Sequence, residues 1–462
     1  MILTIGLLLL LVSSLVIPVP NSIQVLRVAE MFRRISLLIV IGYFIFLLNA
    51  YSSDSFYLWD GQIRINSIII CNELITMIIV AFLLSIGVFP RLEIYMIIMT
   101  GLVGIVNMIS SNDMLITLLS LQLINVSFYL LLGTNKTSEA ALSAAFKYLL
   151  LSAFTTTIFI GGVISLYAMY GTLNYDSLFI AASMDPNLAQ WVVLLLVGAV
   201  VFKLGAAPFH FWGPDVYDST PTLFTAWLIT LPKLALLSFL TAIFPLISTD
   251  ILAYFLGPVA FLSLLIGSVG LGAQKRIKRL LAFSTISHMG YLVFALVTLD
   301  LGAFSFYYAI YILTTVSLFG CLLAMNTANI NSPHMITQLS GIYLLNPALA
   351  VGFAISLFSL AGVPPFAGFI AKICILFSLV RFDLMFYTAS LVVASTISTA
   401  YYLRIVKTMF LDLPVIKQTS LAVDYNAAVV ISLVSSVLIF VIVKGLTVFT
   451  VLSIYIYVYI YI

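Results

Sequence analysis

Apolar runs about as long as a bilayer is thick follow one another from one end of this chain to the other, a pattern that no soluble core requires. A spanning helix needs about 20 mostly apolar residues. Counted between polar breaks, the 462 residues offer fourteen such runs, at 2–18, 35–51, 65–89, 94–111, 113–133, 143–170, 190–212, 222–246, 251–273, 279–299, 301–325, 347–380, 384–411 and 427–450. Hydrophobic residues make up 63% of the chain and charged residues 8%, where a soluble domain carries about 25% charge. The expected fold class is an all-α polytopic membrane protein with about 14 transmembrane helices. The fourth and fifth runs are separated only by SSND. The N-terminal MILTIGLLLLLVSSLVIPVP has neither a basic leading region nor a small-residue cleavage site, so it reads as a first span and not a removable signal. The tail YIYVYIYI alternates aromatic and aliphatic residues, as an interfacial segment does.

The few charges are sorted by side. Loops after odd-numbered spans hold Arg27, Arg33, Arg34, Arg91, Lys136, Lys275, Arg276, Lys278 and Lys417, and loops after even-numbered spans hold Asp54, Asp60, Asp176, Asp185, Asp250 and Asp300. The positive-inside rule puts the first set on the cytoplasmic or matrix face, and both termini on the opposite one. A formal net charge of +3 gives no reason to expect nucleic acid as a partner. Cys71, Cys321 and Cys374 lie scattered in apolar segments and read as small buried residues. With no CxxC, no P-loop and no glycine-rich dinucleotide turn, the chain is expected to bind no metal, nucleotide, flavin, haem or cluster of its own.

Two runs are broken. FKLGAAPFHFWGPDVYDSTPT carries Gly205 to Pro208 inside the seventh, and LAGVPPFAGF places Pro364 and Pro365 inside the twelfth, where two amide donors are lost. Irregular backbone at membrane depth survives only where protein or a hydrated cavity surrounds it. Corresponding breaks in two halves of a chain point to inverted repeats. The seventh and twelfth helices are therefore expected to be discontinuous members of two five-helix repeats. Residues 1–93 would form three N-terminal helices, 94–246 the first repeat (spans four to eight), 251–411 the second (spans nine to thirteen), and 412–462 a last helix with its tail. The register is imperfect, because Lys203 precedes its proline and Lys372 follows its pair.

Buried ionisable side chains are the candidates for chemistry. Lys203 lies before the seventh-span break, Lys233 within WLITLPKLALLSFL, and Lys372 within FAGFIAKICILFSLV. Each charge at mid-bilayer costs at least about 2.5–3.5 kcal/mol on insertion scales. Either these lysines snorkel to an interface, or they face a polar interior where their protonation can be switched, as a proton relay needs. His210, just past the break, and His288, among Ser284, Thr285 and Ser287, are hydrogen-bonded structural histidines or secondary relay members. His334 reads as exposed.

Three ordered motifs, APFHFWGPDVYDSTPT, IKRLLAFSTISHMGYLV and LFSLAGVPPFAGFIAK, resemble the subunit 2 family of respiratory complex I NADH dehydrogenases, one of three antiporter-like groups in its membrane arm. The resemblance covers roughly residues 95–410. It implies a proton-translocating subunit of an NADH:ubiquinone reductase, with Lys203, Lys233 and Lys372 on a central polar axis and His210 and His288 beside it. NADH, FMN, iron–sulfur clusters and ubiquinone would belong to other subunits, with no cofactor in this chain. The partners implied are those other membrane-arm subunits, including the antiporter-like ones, and membrane lipids. The location implied is the mitochondrial inner membrane with both termini in the intermembrane space, a bacterial plasma membrane or plastid being the alternatives. The competing readings are a subunit of a multisubunit sodium/proton antiporter, and a spacer that has lost its pumping role. One position departs from the family. A glutamate is usual in the fifth span, paired with the seventh-span lysine, and in LLSLQLINVSFYLLLG Gln122 takes its place. Glu73, within INSIIICNELITMIIV, is an interfacial residue or the source of the missing negative charge, which a neighbouring subunit would otherwise supply.

Overall fold

The computed structural model of the chain describes residues 2–16, 22–50, 55–87, 89, 91–134, 138–184, 186–246, 249–327, 333–413, 423 and 425–439. They are mostly helical and fall into two compact units, Met1–Leu204 with Ser219–Ser248, and Gly205–Asp218 with Thr249–Ile462.

The first unit contains α1 (Ile2–Val16), α2 (Ser22–Asn49), the strands β1 (Phe56–Leu58) and β2 (Ile63–Ile65), then α3 (Ser67–Ile86), α4 (Leu92–Ser110), α5 (Met114–Gly133), α6 (Glu139–Tyr170), α7 (Tyr175–Met184) and α8 (Pro186–Leu204). The chain then runs through α9 (Trp212–Ser219), which falls largely in the second unit, before α10 (Thr222–Ile243) completes the first. SSND does separate two helices. Asp113 caps α5 by accepting from the Leu115 amide at 2.7 Å, which ends α4 and starts α5 within three residues. At 32 residues α6 is the longest of the described helices, ended by Gly171 in the left-handed region. α10 packs on α3, α4, α5 and α8, and nearly all of its residues are buried, so it is an interior helix.

Three expectations are corrected here. Cys71, read as a small buried residue, is exposed on α3, while Cys321 and Cys374 are buried. The chain is not wholly helical: β1 and β2 pair antiparallel, Phe56 opposite Ile65 and Leu58 opposite Ile63. Trp59, Asp60 and Gly61 turn between them at positive φ, the conformation an Asp-Gly hairpin turn supplies, and aromatic and β-branched neighbours favour strand on either side. Arg33 and Arg34 sit inside α2 and not in a loop. Glu30 holds Arg34 at 2.9 Å across one turn, and Arg33 donates to the Ser85 carbonyl at 3.1 Å, so their charges are satisfied without leaving the helix. Arg27 also falls within α2. Lys136, Lys417, Asp54, Asp185 and the tail YIYVYIYI lie outside the described residues.

The second unit holds α9, α11 (Thr249–Ala273), α12 (Ile277–Val297), α13 (Leu301–Thr327), the one-turn α14 (Ile342–Leu345), α15 (Pro347–Ala361), α16 (Ala367–Arg381), α17 (Met385–Phe410) and α18 (Tyr425–Ile439). α12 lies along α11 and packs on α13 and α16. α12 and α13 are buried nearly all round, whereas α17 turns much of its apolar surface outward. Asn346 caps α15 through the Leu349 amide, with Pro347 at the first helical position, where its missing N–H costs nothing.

Ten described helices are long and apolar enough to cross a membrane, and Gln190–Leu204, Ile336–Leu345, Pro347–Ala361 and Tyr425–Ile439 are apolar but shorter. Two of these shorter helices end at backbone breaks. α8 ends at Leu204 and helix resumes at Trp212; α15 ends at Ala361 and resumes as α16 at Ala367. Each break opens on a glycine in the left-handed region, Gly205 at φ 71° and Gly362 at φ 76°.

Candidate functional site

In the first unit, Lys203 occupies the last turn of α8 and is half-buried. Its Nζ donates to Oδ1 of Asn125 at 2.8 Å. The residue that meets this lysine is therefore not Gln122, which is half-buried three positions earlier on α5, but the fully buried Asn125. The Nδ2 of Asn125 is itself buried and has no hydrogen-bond partner among the described residues. Glu73 is buried on α3 and accepts from the Tyr43 hydroxyl of α2 at 2.8 Å. The carboxylate and Lys203 thus take different partners, and the structure does not bring them together. Lys233 follows Pro232 in the middle of α10 and is 3% exposed. A proline inside a helix leaves the carbonyl four residues back without its usual donor, so the Leu228 carbonyl is freed in the turn before this lysine.

In the second unit, Lys372 lies on the second turn of α16, 6% exposed. Its Nζ donates at 2.8 Å to the carbonyl of Ala361, the last residue of α15, and stands 5.2 Å over the Tyr291 ring. Because Gly362 caps α15, this carbonyl ends a helix whose dipole favours a cation there. His288, buried on α12, shares a 2.6 Å hydrogen bond between Nδ1 and the Tyr307 hydroxyl. Its ring lies 5.2 Å from that of Tyr311 and 5.9 Å from that of Tyr291. Lys372, His288, Tyr307, Tyr311, Thr314 and Ser359 line one cavity of about 10 Å³ for a water centre, enough for about one molecule. A histidine and a buried lysine thus border the same small cavity.

His210 lies in the break before α9, buried, its Nδ1 3.3 Å from the Pro208 carbonyl and its ring against Phe211. Past it, Asp215 and Asp218 of α9 pair with Arg279 at 3.4 Å and Arg276 at 2.8 Å, at the start of α12. Both carboxylates and both guanidiniums are spaced three apart, so each pair of like charges lies on one helix face.

Among the described residues no carboxylate stands within ion-pair distance of Lys203, Lys233 or Lys372, and no three His, Cys, Asp or Glu side chains gather as metal ligands. Several of these groups were readable in principle. Asn125 is the second amide of LQLINV, on nearly the same helix face as Gln122. Tyr307 and Tyr311 are one helical turn apart in SFYYAIYIL, and PDVYD spaces its acids as QKRIKR spaces its bases.

The transmembrane family described as NADH:quinone oxidoreductase/Mrp antiporter matches residues 111–398, which include every buried lysine above. An NADH-ubiquinone oxidoreductase chain 2 of Rhizopus oryzae is 37% identical over 356 residues, covering 72% of this chain and 68% of that protein. An NADH-quinone oxidoreductase subunit N of Wolbachia from Brugia malayi is 36% identical over 356 residues, covering 73% of this chain and 75% of its own length. A chain of the Thermus thermophilus respiratory complex I, solved with bound aureothin, superposes with a TM-score of 0.81 over 97% of this chain and 98% of its own at 24% identity.

Proposed function

This chain belongs to the NADH:quinone oxidoreductase/Mrp antiporter transmembrane family, and from that premise we propose that it is a proton-translocating membrane subunit of NADH:quinone oxidoreductase. The redox chemistry then lies in other subunits, which hold NADH, FMN, the iron–sulfur clusters and the quinone, and this chain carries no redox centre. Its own residues supply protonatable groups. Lys203, Lys233 and Lys372 form the central set, with His288 and His210 beside them. Gln122 keeps the place of the family glutamate without being able to ionise, and Glu73 is a buried acid outside the lysine set. The observation that carries this reading is Lys372, a fully buried ammonium held by the free carbonyl end of a broken helix and bordering a cavity with His288. An idle subunit gains nothing from burying such a group, which costs at least about 2.5 kcal/mol.

The partners are the neighbouring membrane-arm subunits, antiporter-like ones among them, with lipid around the outward apolar faces. The breaks at 205–211 and 362–366 support two five-helix inverted repeats, 94–246 and 251–411, after three N-terminal helices in 1–93 and before a C-terminal helix and tail in 412–462. The whole then amounts to about fourteen spans with discontinuous seventh and twelfth helices. The sorting of basic and acidic residues supports termini in the intermembrane space of a mitochondrial inner membrane. The family description also covers Mrp antiporters, so a sodium/proton antiporter subunit is the second reading; the names of the relatives favour the first. The test is Lys233→Ala in the assembled complex reconstituted into vesicles. The proton-to-electron ratio falls or turnover stalls; normal coupling would refute a relay through this chain, and sodium-dependent exchange without NADH would favour the antiporter.

A further inference from the structure

The partner of Lys203 is an amide, while carboxylates of the same unit are engaged elsewhere or exposed. Glu73 bonds Tyr43, Asp113 caps α5, Asp176 accepts from Asn112 Nδ2 at 2.9 Å, and Glu30 holds Arg34. Glu93 and Glu139 are exposed. The elements that pack most closely on α8 are α6, α10, α7 and the turn Phe244–Leu246, and α5, which supplies Asn125, carries no charged residue. Their charged groups are Glu139 and Lys147, both exposed on α6, Asp176 on α7, and Lys233 on α10. None of them forms an ion pair with Lys203 within 4 Å. Among the described residues the ammonium is met by Oδ1 of Asn125, at 2.8 Å, from a side chain that is 3% exposed and whose buried Nδ2 has no acceptor among those residues.

We propose that Asn125 is the positioning residue for Lys203, a neutral anchor that holds the amine in both of its protonation states. The inference rests on the reading of this chain as a proton translocator. The physical case turns on what happens when the lysine gives up its proton. A carboxylate partner would be left as an unpaired buried anion, a costly state, so an acid–lysine pair resists that step. An amide loses nothing. The neutral –NH2 still donates one hydrogen to Oδ1, and the geometry survives the change of charge. The second, unpaired donor of Asn125 gives the site a further contact for an incoming acceptor such as water, on the side of the amide away from the lysine. Lys203 is thereby set apart from a lysine locked in an ion pair: it exchanges its proton without an ionic contact having to break.

The experiment uses the whole assembled complex in proteoliposomes, with NADH:quinone turnover and proton-to-electron ratio followed against pH. Asn125→Asp puts a carboxylate on the ammonium. Coupled turnover at neutral pH falls by about tenfold, and the alkaline limb of the pumping profile moves to higher pH. Asn125→Leu, of similar shape but unable to bond, lowers the proton-to-electron ratio without that movement. Gln122→Glu displaces the alkaline limb less than Asn125→Asp does. A profile that responds to Gln122→Glu and not to Asn125→Asp assigns the partner to position 122 and overturns the proposal. So does a wild-type ratio and profile in both Asn125 variants. If Asn125→Asp fails to assemble, Asn125→Leu decides alone, and a wild-type ratio there is a refutation. The two ideas fail separately. An impaired Lys233→Ala beside unaffected Asn125 variants removes only the role of Asn125, while a fully coupled Lys233→Ala removes the proton-translocating reading itself.

Discussion

Lys203 sits on the helix that runs into a break, whereas Lys372 sits on the helix that starts after one, and they are held differently. After a break, the free carbonyl end of the preceding helix lies within reach. Lys372 takes it, bonding the Ala361 carbonyl and covering the Tyr291 ring. Before a break, the carbonyls at hand are those of the lysine's own last turn, which its side chain leaves behind. Lys203 therefore reaches across to a side chain of α5. The direction in which the chain meets the break thus decides whether backbone or side chain receives the charge. A backbone carbonyl is supplied by the fold whatever the residue, while the α5 partner depends on one amino acid. The first anchor tolerates sequence change; the second can be tuned by it.

Substitution can break this comparison. The largest effect is expected for Lys372→Met, which empties the carbonyl end of α15 and removes the cation from the cavity. Coupled turnover of the assembled complex falls by about tenfold or more, and by more than in Lys203→Met, which leaves behind only a neutral amide. Equal losses would mean that the two anchors are equivalent. Next comes Gly362→Ala. At φ 76° a Cβ is strained and would stand 2.8 Å from Cδ of Lys372, so both costs apply, about 1–3 kcal/mol together. Gly205→Ala meets nothing nearer than the Trp212 ring at 3.6 Å and pays only the backbone part, about 1–2 kcal/mol. Thermal inactivation of the detergent-solubilised complex should rank Gly362→Ala below Gly205→Ala; the reverse order would say that the Lys372 side chain gives way freely.

Smaller again is Tyr307→Phe, which removes the hydroxyl from His288 Nδ1. It costs about 0.5–1.5 kcal/mol, read as earlier thermal inactivation, and the hydrogen bond has no counterpart recorded beside Lys203. Smallest is Arg276→Gln, which opens the pair between this exposed arginine and the half-buried Asp218. Pairs of this kind are worth under about 1 kcal/mol and weaken in salt. An effect of several kcal/mol, insensitive to salt, would show that these charges pin α9 to α12 far more firmly than their exposure suggests.

The burial of Lys233 and Lys372 was legible because a lysine amid some ten apolar residues on each side has few other places to be. The breaks were legible because glycine and paired prolines cannot continue a helix. The hairpin at 56–65 was missed although its Asp-Gly turn was in plain view, since the segment was read only as a polar loop between two spans, where strands of three residues give little alternation to find. The arginines of α2 were misplaced for a related reason: hydropathy ends a span at a charge, but a helix continues as long as its charges find partners such as Glu30 and Ser85.

The sequence by itself determined the helical membrane class, the positions of the breaks and which residues carry charge into the interior, because each follows from the local cost of polar groups in hydrocarbon. Only the tertiary structure decided who meets whom. Gln122 and Asn125 are both amides in one apolar helix, and Glu73 is a buried acid in another. Choosing Asn125 for Lys203 and Tyr43 for Glu73 depends on helix rotation and packing, where three residues along α5 change the direction of a side chain by about 60°. A hydrogen bond falls away within a fraction of an ångström, so no pattern of residue types can fix it before the helices are packed.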